Sequence, residues 1–188
     1  MEHLIDRINW RMMEFYSGED SRQIAHTQCV HDYTRLLAAK SGVEPHRAML
    51  LEIAAILHDI GCPAAREKYG DSRPPRQEEE GERICRDWLP EYPELSCADI
   101  DYVAEVVGRH HRFSEAKRLE FIPLFEADLI VNLFEGYYPL DGGIEGKAGD
   151  FGGGTRIIRP VVPEITRRRY GHVFIDADFV FSGDESTG

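Results

Sequence analysis

The chain is short of positive charge. Its 188 residues include 22 Lys and Arg against 34 Asp and Glu, a formal charge of −12 with histidine neutral. A phosphate-backbone binder relies on clustered Lys and Arg, so this deficit argues against DNA, RNA and anionic membrane surfaces as partners. Long apolar runs are also scarce: the longest, Ala48 to Leu57, is interrupted by Glu52 and falls below the roughly 20 residues that span a bilayer. The first residues carry Glu2, Asp6 and Glu14 and no cleavable apolar segment, which points to a cytoplasmic location. Cysteine is limited to Cys29, Cys62, Cys85 and Cys97, without a CxxC pair, so reduced thiols are expected rather than disulfides or a zinc knuckle. No internal repeat occurs. What remains, 42% hydrophobic and 30% charged residues, is the composition of an ordinary globular domain.

Apolar periodicity predicts a mostly helical chain. Leu4, Ile5, Ile8, Met12 and Phe15 recur at helical spacing up to Ser17-Gly18. A second helix follows Asp20-Ser21 and runs to Lys40, with Gly42 beyond its end and with His26, Val30, Tyr33 and Leu37 along its inward side. A third starts at Pro45 and ends before Gly61; apolar residues surround its Glu52, which marks it as the central helix. The short joint between the second and third helices predicts an antiparallel hairpin. His26 lies about 16 residues before the middle of that joint and His58 about 16 after it, so the two reach the same level, about 24 Å from the turn. Ala64 to Pro75 reads as a loop, Arg76 to Trp88 as a helix, and Ser96 with Asp99 as a capping box opening a helix in which Ile100, Val103, Val107 and His110 share a face. The last helix is predicted from Pro123 to Phe134, with Leu124, Ala127, Asp128 and Val131 on one stripe. Seven glycines between Gly142 and Gly154 indicate a loop, and the residues beyond have weak β character, so residues 1–140 form the expected domain and 141–188 a Gly-rich loop with an irregular or β extension.

Four polar residues occupy positions where the periodicity expects apolar ones or stand beside one: His26, His58, Asp59 and Asp128. A buried ionised carboxylate costs several kcal/mol unless it is paired or bound to metal. Either a divalent cation or a closed hydrogen-bond network, such as His58 with Asp128, satisfies that condition.

These residues stand in a pattern. His26-Thr27-Gln28-Cys29-Val30, Ala54-Ala55-Ile56-Leu57-His58-Asp59-Ile60-Gly61 and Glu126-Ala127-Asp128 together resemble the HD superfamily of metal-dependent phosphohydrolases, over roughly Asp20 to Glu135. The resemblance implies an all-α helical bundle holding a divalent metal through His26, His58, Asp59 and Asp128. It also implies hydrolysis of phosphomonoesters or phosphodiesters of small nucleotides or phosphorylated metabolites; a few relatives are oxygenases, and a metal-retaining regulatory protein without turnover is the main alternative. Imidazole with carboxylate suits Mn²⁺, Fe²⁺, Co²⁺ or Zn²⁺ better than Mg²⁺. One ion is expected.

Dinuclear relatives use further histidines. His110-His111 matches one such position, whereas Gln77 stands at the other and is a poor imidazole substitute, which also argues against a di-iron oxygenase. His110 or His111 is therefore expected to meet substrate phosphate or act as a general acid, Asp59 to accept a proton from water, and Glu80 to lie in the outer shell or complete a second ion site with Asp59 and His110. Lys68, Arg76 and Arg109, with Arg66, Arg73 and Arg112, flank the dyad loop and the histidine pair and are candidate phosphate ligands, Arg109 foremost. Charge is distributed to match: residues 77–105 carry 2 basic and 10 acidic side chains, whereas residues 106–119 carry 4 and 1. Exposed Val and Phe near the C-terminus would suit a homodimer.

Overall fold

A computed structural model of the chain describes residues 3–17 and 21–134, which form eight α-helices and a short 3-10 turn; among the described residues there is no strand. The chain divides into two units, Met1–Ala127 and Asp128–Gly188. Of the second unit only the helical residues up to Phe134 are described, so the expected Gly-rich loop, the β extension and the 140/141 boundary lie outside the described residues. The all-α architecture is as expected.

The helices are α1 (Leu4–Tyr16), α2 (Ser21–Lys40), α3 (Pro45–Leu57), α4 (Cys62–Tyr69), α5 (Pro74–Trp88), α6 (Cys97–Val107), α7 (Phe113–Arg118) and α8 (Ile122–Phe134), with the 3-10 turn Leu89–Glu91 after α5. Two of them, α4 and α7, were not anticipated. The stretch expected as a loop after the dyad contains α4, opened by Pro63 in its first turn and closed at Gly70, whose φ of 80° is a left-handed conformation open to glycine at little cost. The Pro74-Pro75 pair, rather than lengthening that loop, starts α5, because a missing N–H is harmless in a first turn.

The central helix is α3. Leu50, Leu51 and Ile53 to Leu57 are buried, and α1, α2 and α6 all pack against it. Its start is well capped: Pro45 takes the first position and the Glu44 carboxylate accepts from the backbone N–H groups of His46 and Arg47 at 3.1 and 3.0 Å. Glu52 emerges from the apolar surroundings to meet His31 of α2 at 2.9 Å, a bridge across the expected α2–α3 hairpin. The stretch Pro45–Tyr69 is long and apolar enough to cross a membrane, but 67% of its most apolar window is buried against the rest of the protein. That is the position of a core helix. All four cysteines are free thiols.

Around this core, α5 packs on α4 and α6, which brings the acidic helix beside the dyad turn. The capping box at the start of α6 is present in both halves, Ser96 Oγ accepting from Asp99 N–H and the Asp99 carboxylate accepting from Ser96 N–H at 2.9 Å. Replacing Ser96 with alanine is expected to lower stability by about 1 kcal/mol in denaturant unfolding, since an orphan N–H loses its acceptor.

Candidate metal centre

Three helix ends and one turn build the site. On α2, Gln23, His26 and Val30 follow one another at spacings of three and four, so one face carries all three. His58 and Asp59 leave the end of α3, and His110 and His111 leave the end of α6. The hairpin arithmetic holds: His26 Nε2 and His58 Nε2 are 3.2 Å apart, both rings buried. Asp59 Oδ2 lies 3.3 Å from His58 Nε2 and 3.7 Å from His26 Nε2. Its other oxygen, Oδ1, lies 3.7 Å from His110 Nε2. Asp59 thus belongs to two groups able to hold a metal, His26-His58-Asp59 and Asp59-His110-His111.

The tautomers decide what these groups want. A carbonyl oxygen only accepts, and His58 Nδ1 and His110 Nδ1 each contact one at 2.8 Å, Ala55 O and Val107 O. Both rings therefore carry a proton on Nδ1 and, when neutral, turn an Nε2 lone pair towards Asp59. The pattern of one ring nitrogen tied to a backbone carbonyl and the other aimed at a cluster is that of ligating histidines. Burial alone would raise the Asp59 carboxyl, but the facing His58 and His110 imidazoles outweigh it and hold Asp59 well below the usual carboxylate range. Burial pushes the His110 imidazole down, and the neighbouring His111 ring, 3.9 Å away between centroids, pushes the same way. His110 Nε2 is then a buried acceptor with no hydrogen-bond partner among the described residues, facing an anion. The Nε2 lone pairs of His58 and His110 converge on a carboxylate, and this donor set of imidazole and carboxylate fits a divalent transition metal.

A model of the HD domain family matches residues 24–139, well over half of the chain and inclusive of the His58-Asp59 dyad and Asp128. The chain belongs to the HD domain family. No curated protein and no solved structure matches it. HD domains bind divalent metals, and this one assembles a His/Asp cluster able to do so.

The remaining expected site residues divide. Within the HD domain, His111 joins the second group, and Gln77 reaches it: Gln77 Nε2 is 3.3 Å from His111 Nε2, while Gln77 Oε1 accepts from the buried Cys62 thiol. Burial, reinforced by the nearby Asp59 carboxylate, pushes that thiol up, so it remains a donor. Glu80 is elsewhere. Its oxygens take Lys68 Nζ at 2.7 Å and Arg83 Nε at 3.0 Å, and it belongs to neither histidine group. That ion pair also occupies Lys68, as Asp71 Oδ2 occupies Arg76 at 2.6 Å. Arg109 stands among Glu82, Glu105 and Glu115, each within 3.8 Å. Arg73 pairs with Asp71 and Arg112 with Glu78. Among the described residues, Arg66 makes no ion pair, so of the six flanking cations it alone is uncommitted. Asp128 is described within its own unit, on α8, where its Oδ1 accepts from Asn132 Nδ2 at 2.8 Å.

Three supporting residues were not anticipated. Tyr16 donates its hydroxyl to the Asp59 carbonyl at 2.6 Å and pins the dyad turn to α1. Gln23 Nε2 donates to Asp59 Oδ2 at 2.7 Å. Glu78, buried in α5, accepts from His111 N–H at 3.3 Å and from Arg112 Nη2 at 2.7 Å, which holds the His110-His111 turn. Burial works to raise the Glu78 carboxyl, but His111 and Arg112 together pull it below the usual range, so the clamp stays charged. Of the three, Gln23 alone had a readable signal, its place on the His26 stripe.

Proposed function

We propose that the protein is a phosphohydrolase acting on a small nucleotide or phosphorylated metabolite in the cytoplasm, with its metal held by His26, His58, Asp59 and Asp128. The observation that carries this reading is the Asp59 carboxylate with one oxygen towards His26 and His58 and the other towards His110. A divalent ion at such a centre supplies an activated water and polarises a phosphoryl oxygen. His26 and His58 bring their Nε2 atoms to one point, 3.2 Å apart, where both would ligate it, and their burial keeps competing water away. His110, neutral and with its lone pair at Nε2, is equipped to accept a proton or to join His111 in holding a second ion, rather than to donate to a leaving group. Gln77, already bonded to His111, weakens that second set, which favours one ion.

Arg66 receives the substrate phosphate in this reading. It lies one helical turn past Cys62, its charge reaches the Cys62 thiol beside Asp59, and among the described residues it has no carboxylate to leave. One guanidinium without an ion pair among the described residues that flank the dyad and the histidine pair, in a chain of charge −12, suits a small, compact anion. Chelator-treated protein assayed on a panel of phosphomonoesters and phosphodiesters, then reloaded with Mn²⁺, Fe²⁺, Co²⁺, Zn²⁺ or Mg²⁺, is expected to release phosphate only when reloaded. The Asp128→Ala protein is expected to stay silent under every metal. Phosphate release that survives chelation would sink this function, and metal binding with no turnover on any substrate would favour a regulatory protein.

A further inference from the structure

Among the described residues, four side-chain nitrogens face the Asp59 carboxylate, and three are imidazole nitrogens at 3.3 to 3.7 Å. The fourth is closer. Gln23 Nε2 lies 2.7 Å from Oδ2, and it differs from the others in kind. His58 and His110 spend their Nδ1 protons on backbone carbonyls and offer Asp59 an N–H only when protonated, whereas a carboxamide nitrogen always carries hydrogen. A carboxylate oxygen has two lone pairs. The Gln23 bond takes one pair of Oδ2 and leaves the other for the His26-His58 side, while Oδ1 stays turned to His110. A carboxylate restrained in this way gives one oxygen to each histidine group and cannot swing round to place both on one ion.

We infer that Gln23 is the positioning residue of the centre, setting the rotation of the Asp59 carboxylate so that each oxygen serves one histidine group. The inference rests on the reading of the site as a metal centre. Gln23 need not touch substrate or metal for this; it acts through Asp59. It is also not simply a tether between α2 and its neighbours, because a second carboxamide of the same helix, Gln28, already forms a reciprocal amide pair with Asn9 of α1. That pair supplies the control.

The full chain, chelator-treated, would be titrated calorimetrically with Mn²⁺ and, separately, followed by the visible absorption of bound Co²⁺. Gln23→Ala is expected to weaken Mn²⁺ binding about 10- to 100-fold, as loss of an outer-shell partner does, and to change the Co²⁺ bands as Asp59 turns. Gln28→Ala is expected to bind Mn²⁺ as wild type does, with unaltered Co²⁺ bands. Wild-type affinity and spectrum in the Gln23→Ala protein would overturn the inference and leave the metal centre standing. So would equal weakening in Gln28→Ala, which would make the effect a general loosening of α2. A wild-type protein that binds neither ion would overturn the metal centre itself, and this inference with it.

Discussion

Asp59→Asn is expected to lower metal-dependent phosphate release on the order of 10³-fold or more, and to empty the centre of metal, while the protein stays folded. Asparagine keeps the size of the side chain but removes its charge and turns one oxygen into a donor. On the His26-His58 side that donor would take the place of the cation, and on the other side it would satisfy the buried Nε2 of His110, which in the parent protein has no hydrogen-bond partner among the described residues. Either orientation costs metal affinity. Neither leaves a buried charge alone, so the metal-free D59N protein is expected to melt at or above the temperature of the metal-free parent. His58→Ala removes a different element: the lone pair goes, Asp59 loses a neighbour at 3.3 Å, and a buried ring leaves a cavity. It is expected to lose both activity and stability. Activity, metal content and melting temperature measured on both variants separate the roles, and a D59N protein that turns over like the parent would place the chemistry elsewhere.

The periodicity of single helices carried much of this fold. His26 and His58 could be set at one level because a short joint and a fixed rise per residue leave little freedom, and they do meet, at 3.2 Å. The Ser96-Asp99 box was readable because its chemistry is contained in four residues. The resemblance then supplied the meaning of the dyad. What could not be read was which side chain on one helix meets which on another. Glu80 and Gln77 are neighbours on α5, yet Gln77 turns to His111 and Glu80 to Lys68. Sequence proximity placed Lys68, Arg76 and Arg109 near the site, but only packing shows that each has a carboxylate partner and that Arg66 has none among the described residues. Helix α4 was hidden by its own composition, two apolar positions facing inward and a charged outer face between Pro63 and Gly70. Gln23 drew no notice because a carboxamide neither titrates nor ligates strongly, and its importance lies wholly in what it holds.

Gly61, the residue two past Asp59, is where stability and site geometry depend on the same atoms, and Gly61→Ala is expected to be the most destabilising small substitution in the domain. A Cβ at Gly61 would stand 2.1 Å from the Gln77 carbonyl oxygen, 2.4 Å from Gly81 N and 2.9 Å from Gly81 Cα. These are backbone atoms of α5 and cannot rotate away. The helix has to retreat from the dyad turn, and the cost of such overpacking is about 3 kcal/mol, or roughly 10 °C in melting temperature for a chain of this length. The displacement would not stop there. Gly81 is the point where α5 lies against Val107 of α6, with only 2.9 Å between an added Cβ and Val107 Cγ1. A retreating α5 therefore shifts the helix that leads into His110 and His111, while His26 and His58 stay on the α2–α3 hairpin. Two other glycines calibrate the expectation. Gly70→Ala meets nothing within 4 Å and pays only for its left-handed backbone, about 1 kcal/mol. For Gly108→Ala the three nearest atoms to the added Cβ are all in the Glu82 side chain; its carboxylate, at 2.4 Å, can swing outward, and Glu82 Cβ at 3.1 Å has to give by only a few tenths of an ångström. Thermal melts of the three variants should rank Gly61→Ala far below the other two, with Mn²⁺ affinity reduced in Gly61→Ala alone. A melt of Gly61→Ala within a few degrees of the parent would show that α5 is not seated on the dyad turn, and the juxtaposition of Asp59 with His110 and His111 would lose its structural cause.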